Sequence, residues 1–106
     1  MEGNHSPQFE VGWTAAARQQ ARDLLVRAKA VGYWEEISQA LREVRNNLES
    51  DPIQWGDPLH QTKLPGGLVC RGSAPPLYVQ FAVYEQQRAV VVYRVAIAPY
   101  HPLAST

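Results

Sequence analysis

Apolar and polar positions recur with two different periods along the chain, and the change of period separates a helical first half from a strand-rich second half. At residues 77–84, Leu77, Val79, Phe81 and Val83 alternate with Tyr78, Gln80, Ala82 and Tyr84, the period of two expected of a strand with one apolar face. Residues 88–97 carry Val90, Val91, Val92, Tyr93, Val95 and Ile97 as a nearly continuous β-branched run, the pattern of a central strand covered on both sides. Arg94 interrupts that run and calls for an explanation, while Glu85, Gln86 and Gln87 supply the turn between the two strands.

Upstream the spacing becomes helical. Ala17, Ala21, Leu24 and Ala28 line one face of a helix that starts after Thr14, a hydroxyl N-cap, and stops at Gly32. A second helix over residues 33–48 places Ile37, Leu41, Val44 and Leu48 on one stripe, with Glu35 and Glu36 in its dipole-favoured first turn. Residues 1–7 read as a disordered tail, and Phe9, Val11 and Trp13 then alternate as a short first strand. Residues 49–65 are rich in turn formers and read as a loop whose Trp55 and Leu59 tuck against the core. A short strand over residues 68–71 and a turn over residues 72–76 lead into the long hairpin. The expected fold class is α+β: an N-terminal strand, an α-helical hairpin, then a three-stranded antiparallel meander. One domain spans residues 8–98, with a C-terminal tail at residues 99–106.

A chain of 106 residues buries roughly 65% of its unfolded surface, so its stability needs no metal or disulfide. The single cysteine, Cys70, falls in a strand and reads as a buried thiol in a reducing compartment. Three scattered histidines lack metal-ligand spacing, and Gly66-Gly67 lacks the Lys-Ser or Lys-Thr of a phosphate loop, so neither metal nor cofactor is expected. No apolar run approaches the ~20 residues of a membrane span, and the polar start has no signal pattern; the expectation is a cytoplasmic protein without a membrane partner. Trp34 and Trp55 have acidic neighbours rather than basic ones, which favours core packing over base stacking for the three tryptophans.

Net charge is zero but unevenly spread. Up to Asp57 there are six basic and nine acidic residues; from Pro58 on, Lys63, Arg71, Arg88 and Arg94 face only Glu85. The sheet half is thus mildly cationic, which permits an RNA or acidic partner on that side.

Strand, helix, helix and three strands in this length, with Phe9-Glu10-Val11-Gly12-Trp13-Thr14-Ala15-Ala16-Ala17 running from strand into helix, resemble the RelE/ParE superfamily of toxins from bacterial type II toxin-antitoxin systems. Leu64-Pro65-Gly66-Gly67-Leu68 and the closing pair of strands extend the resemblance over nearly the whole chain. It implies a toxin whose concave sheet face meets its target and which a cognate antitoxin wraps and silences. In the RelE-like branch the target is mRNA on the ribosome, cut by attack of a ribose 2′-hydroxyl on the adjacent phosphodiester; in the ParE-like branch it is DNA gyrase, with no hydrolytic chemistry. The fold by itself fits either branch.

Carried over residue by residue, the resemblance places a functional arginine at Arg71 and a terminal tyrosine at Tyr100, with His101 beside it as an acid or base near neutral pH. Arg94 is read either as a phosphate contact on the sheet or as an arginine whose stem lies along Tyr78 or Tyr84. Lys63 and Arg88 complete the candidate RNA-binding set. Tyr100 and His101 also admit the reading of a loosely ordered terminus. Ile97-Ala98-Pro99 stands where many relatives carry a His-Arg or Lys-Arg pair.

Overall fold

The computed structural model describes residues 8–62 and 66–105. Strand β1 (Glu10–Trp13) leads into helices α1 (Ala15–Val31) and α2 (Trp34–Ser50), the one-turn helix α3 (Pro52–Trp55), and strands β2 (Asp57–Gln61), β3 (Gly67–Ala74), β4 (Leu77–Tyr84) and β5 (Ala89–Ile97). A 3-10 turn, Pro102–Ser105, follows the last strand. The five strands form one sheet in the order β1-β5-β4-β3-β2, antiparallel except where β1 pairs with β5. This is the α+β architecture expected from the sequence.

The helical hairpin forms for the local reasons its sequence states. Thr14 Oγ1 accepts from the Ala17 amide at the start of α1, and Gly32 closes it in the left-handed region at φ 87°, where a Cβ would be strained. Leu24 and Ala28 of α1 and Ile37, Val44 and Leu48 of α2 bury together against Leu77, Val79, Phe81, Val83, Val90 and Val92 of the sheet. Both helices therefore cover the same face, and the other face of the sheet is open. Val69 and Ala82 on that open face are shielded by their neighbours but lie outside the core cluster.

Strand β5 is thus central in the sheet but covered on one side, a correction to the expectation drawn from its β-branched run. Arg94 explains how the run is accommodated. A β-bulge leaves Tyr93 between the Phe81–Val92 and Gln80–Arg94 pairs. The extra residue shifts the alternation, so that Val90, Val92 and Val95 face the core while Arg94 pairs with Gln80 on the open side. Beyond Val92 strand β1 no longer accompanies β5, and the Val95 amide donates instead to Gln20 Oε1 of α1 at 2.7 Å.

Three further expectations change. The stretch read as a loop holds α3, with Asp51 accepting from the Gln54 amide, and the edge strand β2, whose side chains are all exposed. A strand held by backbone pairing with no buried face has no alternation to read, and Leu59 on it is 46% exposed rather than tucked in. Strand β3 continues through the expected turn to Ala74, which pairs with Leu77 across Pro75-Pro76. Gly72 serves that strand as a flat spot beneath the Trp55 ring, which stacks on Phe81 at 5.8 Å between centroids. Of the tryptophans, Trp13 and Trp55 pack against the core, whereas Trp34 at the start of α2 is exposed.

The segment after β5 is anchored on the helices. Leu103 is fully buried, and its carbonyl accepts from Arg27 Nη1 of α1 at 2.9 Å. Among the described residues no helix is long and apolar enough to cross a membrane. The tail at residues 1–7 and Lys63, Leu64 and Pro65 lie outside the described residues.

Candidate functional site

The register of the sheet assembles a row of polar side chains across its open face. Arg71 of β3 lies opposite Gln80 of β4, and Gln80 lies opposite Arg94 of β5. Two guanidinium groups thus flank one amide, three strands wide. Asp57 of β2 continues the row beside Arg71. Arg71, Tyr78, Gln80 and Arg94 line a concavity of about 440 Å³, closed at one end by Ala96, Ile97 and Pro99. Both arginines are exposed, and among the described residues neither has an ion-pair partner.

Such an arrangement suits an oxyanion. Arginine presents its donors in a planar fork matched to phosphate or carboxylate, and two forks facing one another can share the charge of a single group between them. The β-bulge at Tyr93 matters here, because with regular alternation Arg94 would point into the core. Both arginines were candidates on sequence grounds; Gln80 between them was not, and Tyr78 entered only as a support for the Arg94 stem, because their placement beside the arginines depends on a cross-strand register that no local pattern encodes.

The remaining candidates are not gathered at the concavity. Tyr100 is 71% exposed, one residue beyond Pro99 at its end. His101 is buried and turned toward the helices: its Nε2 meets Glu36 Oε1 at 2.7 Å, and its Nδ1 accepts from the Leu103 amide at 3.1 Å. Its ring also meets Tyr33 edge-on at 4.8 Å. With Nδ1 accepting, Nε2 carries the proton and donates to the carboxylate, so both ring nitrogens are committed to holding the C-terminal turn. Arg88 sits in the β4–β5 turn with φ 53°, donates to Gln8 Oε1 at 3.0 Å and covers the Phe9 ring at 4.5 Å. That turn is at the opposite end of β4 and β5 from Ile97 and Pro99. Lys63 is outside the described residues.

Cys70 is fully buried on the covered face opposite Phe81. Burial raises its thiol pKa, with the Asp57 charge adding to the effect, which keeps it protonated and unreactive at neutral pH. Among the described residues no group of three or more His, Cys, Asp or Glu is placed to hold a metal ion.

No protein-family model matches the chain, and no curated protein matches it significantly. Solved structures do. A chain of the archaeal RelE–RelB complex from Pyrococcus horikoshii OT3 superposes with TM-score 0.63 at 12% identity, covering 89% of this chain and 99% of that one. A chain of the chromosomal ParDE toxin-antitoxin system from P. aeruginosa gives 0.59 at 16% identity, with 86% and 97% covered. One from the RelBE2 toxin-antitoxin complex of Mycobacterium tuberculosis gives 0.58 at 21%, with 86% and 98% covered. These neighbours, matched over nearly their whole length, show that the chain has the RelE/ParE-like toxin fold.

Proposed function

We propose that this chain is the toxin of a toxin-antitoxin pair, that it acts in the cytoplasm, and that its open sheet face binds an RNA phosphate between Arg71 and Arg94. The observation that carries the reading is the Arg71–Gln80–Arg94 row on the uncovered face of a fold whose solved neighbours come from toxin-antitoxin complexes. In an mRNA cleavage at this face, the ribose 2′-oxygen attacks the adjacent phosphorus, a base removes its proton, and the 5′-oxygen leaves with a proton from an acid. The two guanidinium groups stabilise the negative charge that develops on the phosphorane. Tyr100, exposed beside Pro99, is the candidate donor to the leaving oxygen. His101 acts through its packing, holding the turn that follows Tyr100.

A second reading has one observation in its favour. The residues lining the concavity include no carboxylate, imidazole or amine, so a base for the 2′-hydroxyl is not among them. A toxin that binds a protein target such as DNA gyrase needs none.

Induced expression of the wild type beside Arg71→Ala, Arg94→Ala and Tyr100→Phe, with growth followed and mRNA ends mapped by primer extension, separates these readings. Codon-phased cuts that the variants abolish support the nuclease. Arrest with intact mRNA supports a protein target, and no arrest from folded wild type defeats the toxin reading. Rescue of growth by co-expressing an adjacent small reading frame, with co-purification of its product, tests for the antitoxin.

A further inference from the structure

The concavity on the open face changes character along its length. One part holds the Arg71–Gln80–Arg94 row; one step along β4, toward Pro99, the lining becomes Tyr78, Ala96, Ile97 and Pro99. Tyr78 lies opposite Ser73 of β3 and Ala96 of β5, so short side chains stand on both sides of its ring. The residue is 37% exposed. Among the described residues no aromatic ring or guanidinium is stacked on it; the cation that does cover a ring is Arg88 on Phe9, at the other end of β4 and β5.

A tyrosine held between short neighbours on the uncovered side of a sheet leaves its flat surface to an incoming group. What that group is follows from the charges beside it. Arg71 and Arg94, which flank Gln80, are both diagonal cross-strand neighbours of Tyr78, about 7–8 Å from it. Trp34 and Trp55 fail as base platforms because their sequence neighbours are acidic; Tyr78 has two cations and no carboxylate around it in the concavity. Tyr78 and Gln80 are two residues apart on one strand, about 7 Å, a separation that a nucleotide spans from its phosphate across the ribose to its base. A carboxylate on the arginines would leave the ring uncovered, whereas a nucleotide engages both parts of the concavity at once.

We propose that Tyr78 is the stacking platform of a base subsite: one nucleotide of single-stranded RNA places its phosphate between Arg71 and Arg94 and lays its base on the Tyr78 ring, between Ser73 and Ala96. The inference rests on the reading of this face as an RNA phosphate site and adds to it the group that recognises the base. Stacking accepts any base, so the subsite favours unpaired RNA over a duplex without selecting a sequence.

The test measures the fluorescence anisotropy of two 2′-O-methyl RNA hexamers, which lack the attacking hydroxyl, on the purified chain; one carries bases and the other has the same sugar-phosphate backbone without them. Wild type should bind the base-bearing hexamer about tenfold more tightly, the size of one stacking contact. Tyr78→Ala should lose that preference with its affinity for the abasic hexamer unchanged, Tyr78→Leu, apolar but not flat, should do the same, and Tyr78→Phe should keep the preference. Circular dichroism checks the fold of each variant, and the abasic hexamer reports whether the arginine row is intact. Equal wild-type affinity for the two hexamers, or a preference that survives in Tyr78→Ala, overturns the subsite; the phosphate reading still stands in that case if Arg71→Ala weakens both hexamers. Binding of neither hexamer, whether or not an acidic peptide binds instead, brings down the phosphate reading and the subsite together.

Discussion

Strand β4 exposes two different surfaces on alternate residues. Leu77, Val79, Phe81 and Val83 face the helices and are almost completely excluded from water, whereas Tyr78, Gln80, Ala82 and Tyr84 face outward in register with Arg71, Ser73 and Arg94. The covered face holds the fold by apolar burial; the open face carries Arg71 and Arg94, which have no ion-pair partner among the described residues. On the proposed reading one strand carries stability and function on side chains 180° apart, and substitutions on it should separate cleanly into those that unfold the protein and those that disarm it.

Phe81→Ala should give the largest loss. Phe81 is fully buried, opposite Cys70 on one side and Val92 on the other, with Trp55 stacked on its ring. Removing it should cost about 3–5 kcal/mol in equilibrium urea unfolding, whereas Tyr78→Ala on the same strand should cost less than ~1 kcal/mol. Comparable losses at the two positions would mean that the faces are not distinct.

How far this division was legible in the sequence depends on the kind of signal. Alternation along residues 77–84 identified the buried face, and capping by Thr14 and Gly32 placed the first helix within a residue, because both are local physics. Strand β2 and the continuation of β3 past Gly72 were hidden. One is held by backbone pairing alone, and the other contains a glycine selected for the approach of Trp55, which looks the same as a glycine selected for a turn. Arg71 and Arg94 were recognised as candidates, but their pairing through Gln80 depends on a one-residue bulge. His101, separated from Glu36 by a stretch that includes four of the five strands, gave no sign of its partner.

Gly72→Ala tests how tightly the covered face is closed. A Cβ on Gly72 would run into the six-membered ring of Trp55, and that ring is held by its stacking on Phe81, so it cannot move aside freely. We expect a loss of about 1–3 kcal/mol and a changed near-ultraviolet circular dichroism signal from Trp55. An unchanged stability would show that Trp55 is a loose lid on the sheet.

The C-terminal turn should respond less. His101→Ala removes the contact to Glu36 and leaves the Leu103 amide without its acceptor, in a segment whose anchor, Leu103, is fully buried. The expected loss is about 1–2 kcal/mol, accompanied by faster hydrogen exchange at the Leu103 amide. If His101 were instead a catalytic acid or base, the substitution would abolish activity with stability and exchange unchanged, which separates the two roles.

Arg71→Ala and Arg94→Ala should move stability least, and this is where the comparison of faces is most exposed to failure. Neither guanidinium meets a carboxylate among the described residues, both are open to water, and they stand on either side of one glutamine with like charges. Removing either should change the unfolding free energy by less than ~0.5 kcal/mol in either direction, with a slight gain where repulsion across Gln80 is relieved. Binding of a short RNA oligonucleotide should fall with each substitution, and its dependence on salt should flatten as a phosphate contact is lost. Unchanged stability with weakened binding would mark the open face as a surface kept for a ligand. A loss above ~1 kcal/mol would instead make the arginines part of the scaffold, their stems packing the outer side of β4 and β5, and the division between the two faces would not hold.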